Sequence, residues 1–285
     1  MDYSDYTLVG FGDCQTYGQF ANDISFLEHK RLDETQGHYN YSVDCHNNSY
    51  IKLLEKKLGF KDSINFSSPA LCNDRTSWYI DMFLNNIKHE KYLVLVGLSY
   101  MERKTLFIEN DDGSNYPIGI WAGHAEKDIE NKKQASGGKF NPGISKLKNS
   151  FWNQYFKYMR NDLNIITDHM QTFDYIYYML SDSNVKFIMF DMLSKLDFDI
   201  FNDNCNFNIS LTNHEKNIFR NTELFTSLND RINYFFEKNK KRKYYINFTE
   251  YGQYPNLTEY LAEDNHKLLQ KKLCEFLSEK INELF

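Results

Sequence analysis

Proline and glycine are scarce, at four and 13 residues in a chain of 285. That excludes collagen-like, linker-like and low-complexity readings. Long apolar runs are missing too. No stretch of 18 apolar residues occurs, so no membrane-spanning helix is expected. The start, Met1-Asp2-Tyr3-Ser4-Asp5, has neither the basic region nor the apolar core of a secretory signal. Cysteine is limited to Cys14, Cys45, Cys72, Cys205 and Cys274, an odd number with wide spacing and no CxxC. A disulfide framework or structural zinc site is therefore not expected, and a reducing, cytoplasmic setting is. Positive charge is in deficit: 33 Lys and Arg against 39 Asp and Glu give a net charge of −6. No broad basic surface for nucleic acid follows from that balance. The one basic run, Lys238, Lys240, Lys241, Arg242 and Lys243, reads as a solvated turn between a helix and a strand. GxGxxG, Walker A and HExxH motifs are absent, so no cofactor or metal is expected. His38, Asp44, Cys45 and His46 are scattered without metal-ligand spacing.

What is present is a hydrophobic fraction of 41%, rich in Phe (23) and Tyr (21), enough for a large core. Tyr6–Phe11 reads as an apolar strand ending at the turn signal Gly12-Asp13. Tyr50–Leu58 reads as an amphipathic helix stopped by Gly59. Ser63–Phe66 is a short strand candidate. Asp74–Ile87 reads as a helix with Asn73 or Asp74 as N-cap. Tyr92–Gly97 is apolar on both faces, as a buried parallel strand requires. Residues 104–148 are too polar and too long for an ordinary connection, and read as an insertion with a small hairpin or short helix. Phe151–Leu180 is helical in pattern, and Val185–Phe190 is another buried strand. Residues 197–223 carry no clear pattern. A helix over Leu224–Phe236, an extended Tyr244–Phe248 and a terminal helix over Asn265–Leu284 complete the chain. With right-handed crossovers this order predicts a three-layer α/β/α sandwich with a mainly parallel sheet, built as one domain over 1–285.

Ligands in such folds bind beyond the carboxyl ends of the strands. Gly12-Asp13-Cys14-Gln15-Thr16-Tyr17-Gly18 follows the first strand and puts a thiol at a strand-to-helix turn. There a helix start lowers a thiol pKa and offers N–H groups to an oxyanion. A second segment, Ser67 to Asn73, follows the second strand, and a third, Gly97-Leu98-Ser99-Tyr100, follows the strongest one. His266 opens the last helix behind Glu263-Asp264-Asn265, where a carboxylate could orient it as a general base.

These segments resemble the blocks of the SGNH (GDSL-type) hydrolase superfamily, particularly its divergent phage-associated branch. Gly12-Asp13-Cys14-Gln15-Thr16-Tyr17-Gly18 is similar to the first block, and Leu58-Gly59 to the helix end that follows it. Asn65-Phe66-Ser67-Ser68-Pro69-Ala70-Leu71-Cys72-Asn73-Asp74-Arg75 is similar to the second. Arg103 matches an arginine after the third strand, and Glu263, Asp264 and His266 match the last block. The resemblance implies an SGNH/flavodoxin-like fold with Cys14 in the nucleophile position and His266 as base. Glu263 or Asp264 would orient it. The Cys14 and Ala70 N–H groups would face the oxyanion. Asp13, Asn73, Ser99 and Arg103 would lie on the oxyanion or substrate side. The chain departs from the family pattern at three positions: Cys14 replaces serine, Ala70 replaces glycine, and the third-block asparagine is missing near Ser99 and Tyr100. Two functions follow. One is an acyl ester hydrolase or acyltransferase, acting on a small-molecule or glycan acyl ester such as an O-acetyl group. The other is an inactive SGNH-fold binding or structural protein, of phage origin, in host cytoplasm or virion. Neither calls for a membrane or a nucleic acid.

Overall fold

The computed structural model describes residues 2–18, 41–68, 71–87, 91–98, 103–109, 115–121, 162–191, 228–247 and 266–285. Their architecture is α/β, a three-layer sandwich of the SGNH/flavodoxin-like kind. Its central sheet comprises β1 (Tyr6–Phe11), β2 (Asp62–Asn65), β3 (Lys91–Leu98), β6 (Lys186–Asp191) and β7 (Tyr245–Asn247). The order is β2-β1-β3-β6-β7, and every pairing is parallel. A separate antiparallel hairpin, β4 (Arg103–Glu109) with β5 (Asn115–Trp121), lies between β3 and β6 in the chain. It fills the first part of the expected insertion; residues 122–148 lie outside the described residues.

Alternation along the strands divides the core in two. Leu8, Leu93, Leu95, Ile188, Phe190 and Ile246 point to one face. They are covered by α3 (Tyr50–Leu58) and α7 (His266–Leu284). The stripe Leu269, Leu273, Phe276, Leu277 and Ile281 recurs at helical spacing, which is why α7 lies flat on the sheet. Val9, Phe11, Val94, Val96, Phe187 and Met189 point to the other face. They meet α4 (Asn73–Asn86), α5 (Asp162–Ser181) and α6 (Leu228–Lys240). Two short helices, α1 (Cys14–Tyr17) and α2 (Tyr41–Asn48), complete the set. No described helix is long and apolar enough to cross a membrane.

Helix α3 carries the expected signals at both ends. The Ser49 hydroxyl accepts from the Lys52 N–H, and Gly59 sits in the left-handed region at φ 73°. The start of α4 differs from expectation. Its N-cap is Cys72, which makes no side-chain cap bond. The polar candidates are engaged elsewhere. Asn73 bonds a buried histidine, and the Asp74 carboxylate accepts from the Thr105 N–H (3.0 Å) and hydroxyl (2.9 Å) of β4.

The basic run also departs from a fully solvated turn. Lys240, Lys241 and Lys243 are exposed, but the Arg242 side chain is only 9% exposed. Its guanidinium bonds Asp174 at 2.7 Å and lies 4.3 Å from the Tyr177 ring centre. Lys238 reaches the other Asp174 oxygen at 2.8 Å. A planar cation can stack on aromatics while it pairs with a carboxylate, so this run joins α6 to α5.

Candidate functional site

Strand register fixes what meets at the carboxyl edge of the sheet. Phe11 lies beside Val96, and Leu98 beside Asp191, which in turn lies beside Asn247. The chain leaves β1 through Gly12 and the buried Asp13, then forms the single helical turn of α1, which opens at Cys14. The Tyr17 N–H donates to the Asp13 carbonyl at 2.9 Å and closes that turn. The side chains of Cys14 and Gln15 lie outside the described residues.

Thr16 holds the turn in place. It is fully buried, and its hydroxyl accepts from Tyr50 at 3.0 Å. Its carbonyl accepts from the Asn65 side-chain amide at 2.9 Å. Asn65 in turn accepts from the Ser67 N–H and hydroxyl, which shapes the exit from β2. Further along, the Ser68 N–H donates to the Gly12 carbonyl. Two glycines make this closeness possible. A Cβ on Gly12 would lie 2.6 Å from the Gly97 carbonyl oxygen, and a Cβ on Gly97 would lie 2.6 Å from the Thr16 hydroxyl. The glycine that precedes Asp13-Cys14 is thus required by backbone approach.

Tyr50 joins this turn to the C-terminal helix. Its hydroxyl donates to Thr16, while its backbone N–H donates to the Gln270 side chain at 2.7 Å. Gln270 stands one turn beyond His266 along α7. Burial pushes the Tyr50 hydroxyl far above its ordinary pKa, and the O–H stays protonated as a donor. Tyr50→Phe should therefore leave the Thr16 hydroxyl without this donor. The expected cost is about 1–2 kcal/mol of stability, measured by denaturant unfolding.

A second polar cluster lies on the opposite face, where α4 and α5 pack. The Asn73 side-chain amide lies 3.3 Å from His169 Nδ1, and His169 Nε2 lies 3.7 Å from the Asp191 carboxylate. The His169 and Asp191 side chains are fully buried. Beside them, Lys104 bridges Asp168 (3.1 Å) and Asp74 (3.8 Å). His169 and Asp191 escaped sequence reasoning, since a histidine within an apolar helix looks like core. The available signal was the aspartate that closes the apolar strand Phe187-Ile188-Met189-Phe190, where ligand-facing residues of parallel sheets sit.

Among the sequence-predicted site residues, the backbones of Asp13 and Cys14 follow β1, Asn73 opens α4, Arg103 opens β4, and His266 opens α7. Asn73 is nearly buried and turns its amide to His169. Ala70, Ser99, Glu263 and Asp264, and the side chains of Arg103 and His266, lie outside the described residues.

Neither a family model nor a curated protein matches the chain. Among solved structures it is similar to one described as a carbohydrate esterase whose active site displays divergent catalytic and non-catalytic binding functions, at 12% identity and a TM-score of 0.31. That match covers 65% of this chain and 48% of the other, so the chain spans about half the length of that structure.

Proposed function

We propose that the protein is an acyl ester hydrolase or acyltransferase that uses Cys14 as nucleophile and His266 as base. The reading rests on one observation. The helix that His266 opens is hydrogen-bonded through Gln270 to Tyr50, and Tyr50 to Thr16, two residues beyond Cys14. A thiol at a strand-to-helix turn and a histidine at a helix start are thereby tied to one end of the molecule.

In the first half-reaction His266 takes the Cys14 proton and the sulfur attacks the ester carbonyl carbon. The resulting oxyanion faces the Cys14 and Ala70 N–H groups. The carbon–oxygen bond breaks, and the leaving alcohol receives the proton from His266. Water, or an acceptor hydroxyl, then attacks the thioester with His266 again as base, and the Cys14 thiol is restored. Glu263 or Asp264 orients His266, while Ser99 and Arg103 lie on the substrate side. The preferred substrates are small O-acyl esters on a glycan. Incubation with an activated acetyl ester, acid quench and peptide mass analysis should find acetyl on Cys14. Acetyl spread over lysines, with none on Cys14, would count against the mechanism.

The second reading is a binding or structural protein of the same fold. The three departures from the family pattern, at Cys14, at Ala70 and at the missing asparagine, favour it. Under that reading no acyl group accumulates on Cys14 and no ester is turned over.

A further inference from the structure

A two-stranded hairpin is marginal by itself in water, so the position of β4–β5 depends on what it is fastened to. The chain leaves the carboxyl edge of the sheet at Leu98 and enters β4 at Arg103. The fastening is at Thr105, the third residue of β4. Thr105 is buried, and both of its donors reach one carboxylate. Its N–H donates to Asp74 Oδ2 at 3.0 Å and its hydroxyl to Asp74 Oδ1 at 2.9 Å. Asp74 lies in the first turn of α4, where the helix N-terminus favours negative charge. The same Oδ1 accepts from the Arg75 N–H at 2.8 Å, which orients the carboxylate. Thr105 is paired with Gly119 of β5, so a hold at Thr105 reaches both strands.

A second tie, through Lys104, is the weaker one. Its ammonium lies 3.1 Å from Asp168 and 3.8 Å from Asp74, but the three side chains are 30%, 35% and 22% exposed. Ion pairs so open to solvent are screened and contribute little. Hydrogen bonds from a buried residue onto a carboxylate are roughly twice as strong as neutral ones. One carboxylate that takes both the backbone and the side-chain donor of a single residue also fixes direction. The strand can neither slide nor turn about Thr105 without breaking a bond. We propose that Asp74 is a positioning residue whose carboxylate latches the β4–β5 hairpin to the first turn of α4 and so sets the backbone of Arg103, two residues before Thr105. The latch joins two stretches that the proposed function uses: Ala70 precedes α4 in the chain, and Arg103 opens β4. The effect on substrate binding rests on that reading. The latch itself does not.

Amide exchange at single residues of the full chain, followed by NMR, reads the latch. Asp74→Ala should raise exchange at position 105 about tenfold or more, as for a lost hydrogen bond to a charged group, and leave Val94 and Leu95 of β3 within about twofold. Thr105→Val removes only the hydroxyl bond and leaves α4 intact. It should raise exchange at that position severalfold, while Thr105→Ser, which keeps a hydroxyl, should stay near the parent. Lys104→Met should change it less than about threefold. With an acyl ester, Asp74→Ala should raise KM about fivefold or more with kcat within about twofold, and Thr105→Ser should keep the parent KM. In an Arg103→Ala background Asp74→Ala should add little, because it acts through Arg103. A merely structural role would raise exchange in β3 by the same factor as at position 105. That result, unchanged exchange at position 105 in both Asp74→Ala and Thr105→Val, a Lys104→Met effect as large as that of Asp74→Ala, or KM effects that simply add overturns the proposal. If Asp74→Ala does not fold, Thr105→Val decides. If the parent protein turns over no ester, the catalytic reading fails alone, and exchange decides the latch.

Discussion

Replacement of Cys14 by alanine is expected to lower turnover of an acyl ester by about 10³-fold or more. Alanine keeps the backbone N–H of position 14 and removes only the sulfur. The turn is held by Thr16 through Tyr50 and Asn65, so thermal unfolding should change little. His266→Ala should cost a similar factor, because in the proposed mechanism the base and the nucleophile act in one step. The double variant should be hardly slower than either single one, as residues that act as a unit are strongly non-additive. The parent rate should itself be modest. The resemblance to the SGNH blocks implies one oxyanion donor fewer, near Ser99 and Tyr100, and one lost donor costs about 3 kcal/mol, or roughly 10²-fold in rate. Steady-state kinetics on an activated ester, with active-site titration, would check all four values. Full turnover by Cys14→Ala would remove the covalent mechanism.

The second large effect concerns the support beneath the turn. Phe190 is fully buried at the end of β6, with its ring 5.8 Å from the Tyr50 ring in an edge-on arrangement. A Cβ on Gly97 would lie 2.8 Å from the Phe190 ring. Phe190→Ala should cost about 3–5 kcal/mol through lost burial and the cavity left behind. For a chain of this size that corresponds to a fall in Tm of roughly 10 °C. Gly97→Ala should cost about 1–3 kcal/mol by overpacking, since both the Thr16 hydroxyl and Phe190 crowd the new methyl. The double variant should cost less than the sum, because the methyl occupies part of the vacated space. Denaturant unfolding of the three proteins gives the coupling. Strict additivity would mean that Gly97 and Phe190 do not share this contact in solution.

Much of the fold was legible because its signals are local. β3 and β6 carry apolar residues on both faces, as strands between two helix layers must. Gly59 marked the end of α3, and the stripe from Leu269 to Ile281 marked α7. The expected order of elements was therefore sufficient for a parallel three-layer sheet. What escaped depended on partners distant in sequence. Asn73 and Asp74 look like N-caps until His169 and Thr105 claim them. Arg242 looks solvated until Asp174 and Tyr177 meet it from α5. In the site, Gly12-Asp13-Cys14 stood out because a tight turn after a strand has its own residue signature. The clamp of Thr16 by Tyr50 joins residues 34 positions apart. The His169–Asp191 pair spans 22 positions (169 to 191) and two elements. No spacing rule encodes either.

Alkylation shows whether Cys14 is an activated thiol paired with His266. Iodoacetamide would be applied to the folded protein from pH 5 to 10, with modification followed peptide by peptide. Cys45, Cys72 and Cys274 are buried, and burial pushes the Cys274 thiol up, so they serve as slow internal references. Cys14 is expected to react fastest, with an apparent pKa well below the ordinary thiol value of about 8.5, and His266→Ala is expected to raise it. A Cys14 that stays as inert as the buried thiols, or whose titration ignores His266→Ala, would contradict the claim and leave the non-catalytic binding role as the reading to pursue.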